Sequence, residues 1–294
     1  MSLRLKPLHP VFVAEASGID ISQPLSAEDV QAIERAMDQY AVLVWRGQAL
    51  TGQQQIDFTR AFGPLDLGLK KVFKRPERLE DEHLIDISNV DAEGKVAARN
   101  SPKNLSNFAN QLWHSDSSFQ DPRATYSMLH AMVLPTWGGT TEFADLRDAY
   151  DTLPERTRAE VEDISAEHYA LHTRLLLGDD AYTDEQKKAI PPAVWPLVQT
   201  HPGSGRKLLF VGVHARQVIG WPTAESRMYL ADLLEHATQR ERVYSHSWQV
   251  NDLVMWDNRC TLHRGRRYDI AERRELRRTT VEDVPSVQRV AETA

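Results

Sequence analysis

Apolar Val30, Ile33 and Met37 recur at the three-to-four-residue spacing of one helix face. Ser26, just before them, carries a hydroxyl suited to capping a first turn, and Glu28 and Asp29 place negative charge at the helix's positive end. The pattern predicts a helix beginning at Ser26 and a strand from Ala41 to Trp45. A second helix is predicted over Gln53 to Phe62, halted by Gly63-Pro64. From about Asp66 to Asn107 the periodicity stops and charge takes over, as in Lys70-Lys71 and Arg75-Pro76-Glu77-Arg78. Such a segment lies over a site more readily than inside a core. Helical spacing returns near Leu146 to Ile164 and over Thr223 to Ala237, with a polar insert near Gly178 to Pro192 between them. Short strands fill the remainder, among them Leu208 to Val213 and Val243 to Trp248. The run Leu253 to Trp256 reads as a buried strand, and the Asp257-Asn258-Arg259 turn after it delivers His263 at the end of an ordered element.

Composition narrows the class. A chain of 294 residues, 41% of them hydrophobic, can bury a sizeable core as one large domain with insertions or as two small ones. Its formal charge of −7, with no basic stripe outside a short Arg cluster near residue 274, argues against nucleic acid and anionic membranes as partners. One cysteine, Cys260, excludes an intrachain disulfide framework and fits a reducing compartment. Its place in an apolar strand suits packing more than redox chemistry. No charged n-region precedes an apolar h-region, and no apolar run approaches the length of a membrane span. The expected location is the cytoplasm.

The candidate chemistry is sparse. In a strand, residues i and i+2 share a face, so His114 and Asp116 can address one ion from a single short segment while Ser115 turns away. A third ligand must come from elsewhere, and His263 lies 147 positions after Asp116 (263 minus 116). Two imidazoles and a carboxylate form the facial triad of non-heme Fe(II) oxygenases, which leaves the opposite coordination positions open. Arg274 stands eleven residues beyond His263, and Arg278 four further on, an even offset that puts both on one strand face.

These residues, with Gly138-Gly139-Thr140-Thr141 and Trp256-Asp257-Asn258 before His263, resemble the taurine dioxygenase family of Fe(II)/2-oxoglutarate-dependent oxygenases. That family's pattern is H-x-D, G-G-x-T, W-D-N-x-x-x-x-H and an Arg eleven after the distal His. Further segments, including Phe62-Gly63-Pro64, Asp86-Ile87-Ser88-Asn89-Val90 and Asn107 to Phe119, are similar to its phenoxyacetate-degrading branch. The resemblance implies an α+β fold with a double-stranded β-helix (jelly roll) core wrapped by helices. It also implies one catalytic domain over 1–294, with the segment at about 66–107 as an active-site lid.

By the same resemblance, His114, Asp116 and His263 hold Fe(II), Thr141 and Arg274 bind 2-oxoglutarate, and O2 is the third reactant. Arg278 anchors the carboxylate of a small aryloxyalkanoate such as 2,4-dichlorophenoxyacetate, since a planar guanidinium matches a carboxylate with two charge-assisted hydrogen bonds. Lys71, Asn110, His201 and His214 are candidate helpers, with a solvated loop lysine and ordinary hydrogen-bonded histidines as the plain readings. Hydroxylation next to the ether oxygen then yields a phenol and glyoxylate, alongside succinate and CO2. A taurine or alkylsulfonate substrate, or another aryl carboxylic acid, stays open within the same chemistry. A zinc hydrolase would want a Glu or His base beside the metal water, and a non-catalytic jelly-roll module would not need the triad. Family members assemble as homo-oligomers, which is the expectation here.

Overall fold

The computed structural model describes residues 2–72, 78–179 and 182–283 of the chain. Its largest sheet has seven strands: β1 (Arg4–His9), β2 (Val13–Ser17), β3 (Val42–Trp45), β4 (Ile85–Ser88), β5 (Ala124–Val133), β13 (Leu253–Asp257) and β15 (Glu275–Glu282). They lie in the order β1-β2-β3-β13-β5-β15-β4, antiparallel except for the β2–β3 pair. A three-stranded sheet ordered β12-β6-β14 is built from β6 (Thr141–Asp145), β12 (Val243–His246) and β14 (Thr261–Gly265). A second, ordered β11-β7-β8, contains β7 (Ser165–His168), β8 (Ala193–Pro196) and β11 (Ala215–Val218), and β9 (Val198–Thr200) pairs with β10 (Lys207–Leu209).

Strands β3 and β13, at the middle of the large sheet, read as nearly unbroken apolar runs because both faces are covered. On one face Leu43, Trp45, Met128, Leu253 and Met255 pack with Ile33 and Met37 of helix α1 (Ala27–Tyr40) and Phe58 of α2 (Gly52–Arg60). On the other, Val42, Val44, Leu129, Val254, Trp256 and Leu276 close around Phe143 of β6. The mixed α+β fold thus sandwiches β12-β6-β14 against the large sheet.

Ser26 caps α1 as expected, its hydroxyl accepting the Asp29 amide at 3.1 Å. Helix α2 begins earlier than expected, because Thr51 and Gln54 form a capping box, and it ends at Arg60, ahead of Gly63-Pro64. Residues 73–77 of the segment 66–107 lie outside the described residues, and the rest is more regular than its charge pattern suggested. It holds a one-turn 3-10 helix (Gly68–Lys71), edge strand β4 and most of α3 (Pro102–Ala109). The helical stretch expected from Leu146 to Ile164 is two helices, α4 (Leu146–Asp151) and α5 (Glu155–Val161). Pro154 divides them, since proline disfavours helical conformation in the residue before it. The polar insert contains α7 (Asp184–Ala189), after α6 (Ala170–Leu176), and α8 (Thr223–Ala237) has the expected bounds. No helix among the described residues is long and apolar enough to cross a membrane.

Candidate active site

Between the two facing sheets, ligand atoms of His114, Asp116 and His263 lie within 4.8 Å of one another. The element that presents His-x-Asp is not the strand expected from its spacing. His114 makes one isolated bridge with His263, its amide donating to the His263 carbonyl at 3.1 Å and its carbonyl accepting the His263 amide at 2.8 Å. The chain then turns at Ser117, whose φ is +54°. His263 sits mid-strand in β14, opposite Phe143, rather than at a strand end. The two imidazoles therefore reach the cluster from segments clipped together by their backbones. Ser115 faces away and donates to the Thr261 carbonyl at 2.6 Å.

The donor set fits a divalent transition metal. His114 Nδ1 lies 2.7 Å from the Leu112 carbonyl, which can only accept, so Nδ1 carries the proton and Nε2 offers its lone pair. Nε2 of each histidine lies 3.9 Å from Asp116 Oδ1. Burial lowers the pKa of both rings, keeping them in the neutral, ligating form. Burial pushes the Asp116 carboxyl up, but the Arg278 guanidinium beside it prevails and brings it to about 2.

Residues that sequence reasoning assigned no role hold Asp116 in place. Ser127 Oγ donates to Asp116 Oδ2 at 2.7 Å and accepts Asn258 Nδ2 at 2.9 Å. Asn258 Oδ1 in turn accepts the Asp116 amide at 3.1 Å and the Trp256 indole at 2.9 Å. This is the local use of Trp-Asp-Asn: Trp256 and Asn258 brace a ligand that lies 142 residues from Asn258 in the chain. The middle residue, Asp257, faces elsewhere and accepts from Arg259 and His201.

Two cavities meet at this cluster. The smaller, about 60 Å³, is lined by Thr141, Leu129, Trp256, Tyr268 and Arg274 and reaches His114 and His263. Arg274 is buried beneath it. Its Nη2 donates to the Gly139 carbonyl at 3.2 Å, its guanidinium lies 5.2 Å from the Tyr268 ring centroid, and its Nε has no acceptor among the described residues. Burial lowers its pKa to about 10, so it stays charged at neutral pH with no carboxylate in contact among the described residues. Such a charge is costly to bury unless an anion joins it. Gly139, at φ +73°, leaves the room: a Cβ there would stand 3.1 Å from Arg274 Nε. Asn89 Oδ1 accepts the Arg274 amide at 2.8 Å, and Trp248 Nε1 donates to Thr141 Oγ at 3.0 Å, leaving that hydroxyl proton for a ligand.

The larger cavity, about 320 Å³, has Leu67, Leu69, Leu79, Ile85, Phe119 and Leu171 among its lining. Its two carboxylates among the described residues are Asp116 and Asp86, and Asp86 is held by Arg78 at 3.1 Å and Lys103 at 3.0 Å. Arg278 borders both cavities. It is ion-paired with Asp116 Oδ1, while its Nε is buried without an acceptor among the described residues. Asn110, the residue after α3, also borders both. His214 lines the larger cavity, its ring 6.1 Å from His114 and 5.0 Å from Phe119. Lys71 ends the 3-10 turn, and its side chain lies outside the described residues. His201 is a correction to the sequence reading. It lines neither cavity and is fully buried, with Nε2 3.0 Å from Asp257 Oδ2 and Nδ1 3.0 Å from Ser204 Oγ.

The family model described as taurine catabolism dioxygenase TauD, TfdA family, matches residues 4–280. Over 283 residues the chain is 59% identical to the alpha-ketoglutarate-dependent 2,4-dichlorophenoxyacetate dioxygenase of Cupriavidus pinatubonensis, covering 96% of this chain and 99% of that relative. It is 34% identical over 278 residues to the (S)-phenoxypropionate/alpha-ketoglutarate-dioxygenase of Delftia acidovorans, covering 91% of each. Among solved structures, AAD-2 in complex with Mn(II) and N-oxalylglycine superposes with a TM-score of 0.92 at 43% identity, covering 97% of this chain and 100% of that one.

Proposed function

The chain belongs to the TauD/TfdA dioxygenase family, and we propose that it uses Fe(II), 2-oxoglutarate and O2 to hydroxylate an aryloxyacetate such as 2,4-dichlorophenoxyacetate. It is a 2-oxoglutarate-dependent dioxygenase. The observation that carries the residue assignment is Arg274: a buried guanidinium without a carboxylate partner among the described residues, at a small cavity that opens onto a His-Asp-His cluster. In this reading His114, Asp116 and His263 hold the iron, and Arg274 with the Thr141 hydroxyl takes the distal carboxylate of 2-oxoglutarate. Bound iron supplies the oxidising chemistry, in which 2-oxoglutarate and O2 give succinate and CO2 while one oxygen atom enters the second substrate.

The residues contribute position. Arg278 holds Asp116 with one nitrogen and borders both cavities, where its guanidinium takes the substrate carboxylate and fixes the adjacent carbon beside the metal ligands. Apolar side chains of the larger cavity take the aryl ring, with Asn110 and His214 at its inner end. Hydroxylation of the carbon between ether oxygen and carboxylate gives a hemiacetal that releases a phenol and glyoxylate, with no general base required. The cavity argues against taurine, because neither of its carboxylates is available to an ammonium group. A zinc hydrolase would have no use for Arg274 and Arg278, the two arginines that border the cavities at this cluster.

The facing sheets support a double-stranded β-helix, and we assign the whole chain to one catalytic domain with the segment 66–107 over the site. We further propose a cytoplasmic homo-oligomer with no nucleic-acid or membrane partner. Sedimentation tests that association. The activity is tested anaerobically by adding Fe(II) and 2-oxoglutarate, then titrating 2,4-dichlorophenoxyacetate. A visible charge-transfer band that shifts with the phenoxy acid, and phenol release on admitting O2, are expected. A shift with taurine alone would overturn the substrate, and no band with folded protein would overturn the cofactor assignment.

A further inference from the structure

Helix α3 lies along the free edge of β4, the last strand of the large sheet. Lys103 Nζ donates to the Asp86 carbonyl at 3.2 Å, and Asn107 Nδ2 to the Ser88 carbonyl at 2.8 Å. Four residues of helix advance about 6 Å and two residues of strand about 6.6 Å. One face of α3 therefore matches alternate carbonyls of the edge, which would otherwise be open to pairing.

The Asp86 side chain extends this contact. Its carboxylate accepts Lys103 Nζ at 3.0 Å and Arg78 at 3.1 and 3.3 Å, and Arg78 continues to Glu275 of β15 at 2.7 Å. The Asp86 side chain is 13% exposed, so this is not the solvated ion pair that contributes little. Burial pushes its carboxyl up, yet Arg78 and Lys103 prevail and hold it below the ordinary range, leaving it charged at neutral pH. Arg78, Asp86 and Lys103 all border the larger cavity and none borders the smaller one.

We propose that Asp86 is a positioning residue for the aryl substrate: by gripping Arg78 and Lys103 together, it sets Leu79 and α3 as walls of the larger cavity against the sheet edge. The assignment rests on reading that cavity as the aryl site. It makes substrate fit depend on a carboxylate that touches neither the metal ligands nor the 2-oxoglutarate pocket.

Asp86→Asn, which keeps shape and removes charge, and Lys103→Met are the test variants. Each is expected to raise KM for 2,4-dichlorophenoxyacetate about five- to thirtyfold while KM for 2-oxoglutarate moves less than about twofold. Succinate formed per phenol should rise. Amide hydrogen exchange in 78–88 and 102–109 should quicken about tenfold or more, with β13 unchanged. The double variant should be no worse than the worse single one, since both break one clamp. Unchanged KM for the phenoxy acid in both variants would overturn the proposal, as would a parallel rise in both KM values with faster exchange in β13. Should the unmodified enzyme release no phenol, the substrate reading falls separately, and unchanged exchange in 78–88 and 102–109 would still overturn the clamp.

Discussion

Arg274→Met separates a ligand-binding arginine from a structural one. The residue is 7% exposed, and burial lowers its pKa from the ordinary arginine value to about 10, with Tyr268 opposing. At 1.36 kcal/mol for each pKa unit, the charged form costs the fold about 3 kcal/mol. Because the folded value is the lower one, that cost is present in full below about pH 10 and fades only as pH rises toward the unfolded value. Methionine removes the cost together with one hydrogen bond from a charged donor, roughly 1.5–3 kcal/mol, and a ring contact of about 0.5–2 kcal/mol. These nearly cancel, so metal-free stability should change by no more than about 2 kcal/mol. Binding of 2-oxoglutarate, by contrast, loses one arm of a desolvated charge pair, about 2–5 kcal/mol, or a weakening of about thirtyfold to several thousandfold. Urea unfolding of the metal-free variant measures the first quantity, and anaerobic titration of 2-oxoglutarate against the Fe(II) protein measures the second. A stability loss well above about 3 kcal/mol with 2-oxoglutarate affinity nearly intact would refute the reasoning and make Arg274 a packing residue.

Ser127→Ala removes the hydrogen bond to Asp116 Oδ2 and orphans Asn258 Nδ2, so Co(II) should bind about ten- to a hundredfold more weakly by spectral titration; an unchanged affinity would refute the bracing role. His201→Gln should lower unfolding stability by about 1–3 kcal/mol through the exposed need of buried Asp257, while KM for the phenoxy acid stays put. A KM change without a stability change would return His201 to the site. Burial holds His130 to about 4 and His168 to about 3, so the unfolded chain takes up their protons first as pH falls below 6.5. Stability should therefore be full above that value and fall on acidification toward pH 4, by about 1.4 kcal/mol per pH unit for each ring. Urea midpoints across that range check this, and His168→Phe should shallow the slope.

Much of the site was legible because its residue types are scarce and their spacing is chemical. His114, Asp116, His263 and Arg274 stand out from any alignment of polarity, and the structure brings all four to two adjoining cavities. What stayed hidden depends on partners remote in the chain. Ser127 is an ordinary strand serine until β5 lies under Asp116, Trp248 reaches Thr141 across 107 residues, and Asn89 braces Arg274 across 185. Local rules also misled in both directions. The i, i+2 spacing suggested a strand where one bridge and a turn suffice, and the charge of 66–107 masked β4, whose register is fixed by pairing with β15. His201 entered as a candidate substrate-binding helper because sequence cannot display the carboxylate that occupies it.

The reciprocal backbone clip between His114 and His263 ties the birth of the His-Asp-His cluster to the clock of synthesis. The two residues are 149 positions apart (263 minus 114), and both cross-hydrogen bonds need β14 in place. At about 5–20 residues per second, roughly 7–30 s separate their appearance on the ribosome. Throughout that interval the nascent chain offers His114 and Asp116 without their partner, and no amino-terminal fragment ending before β14 can own the complete cluster.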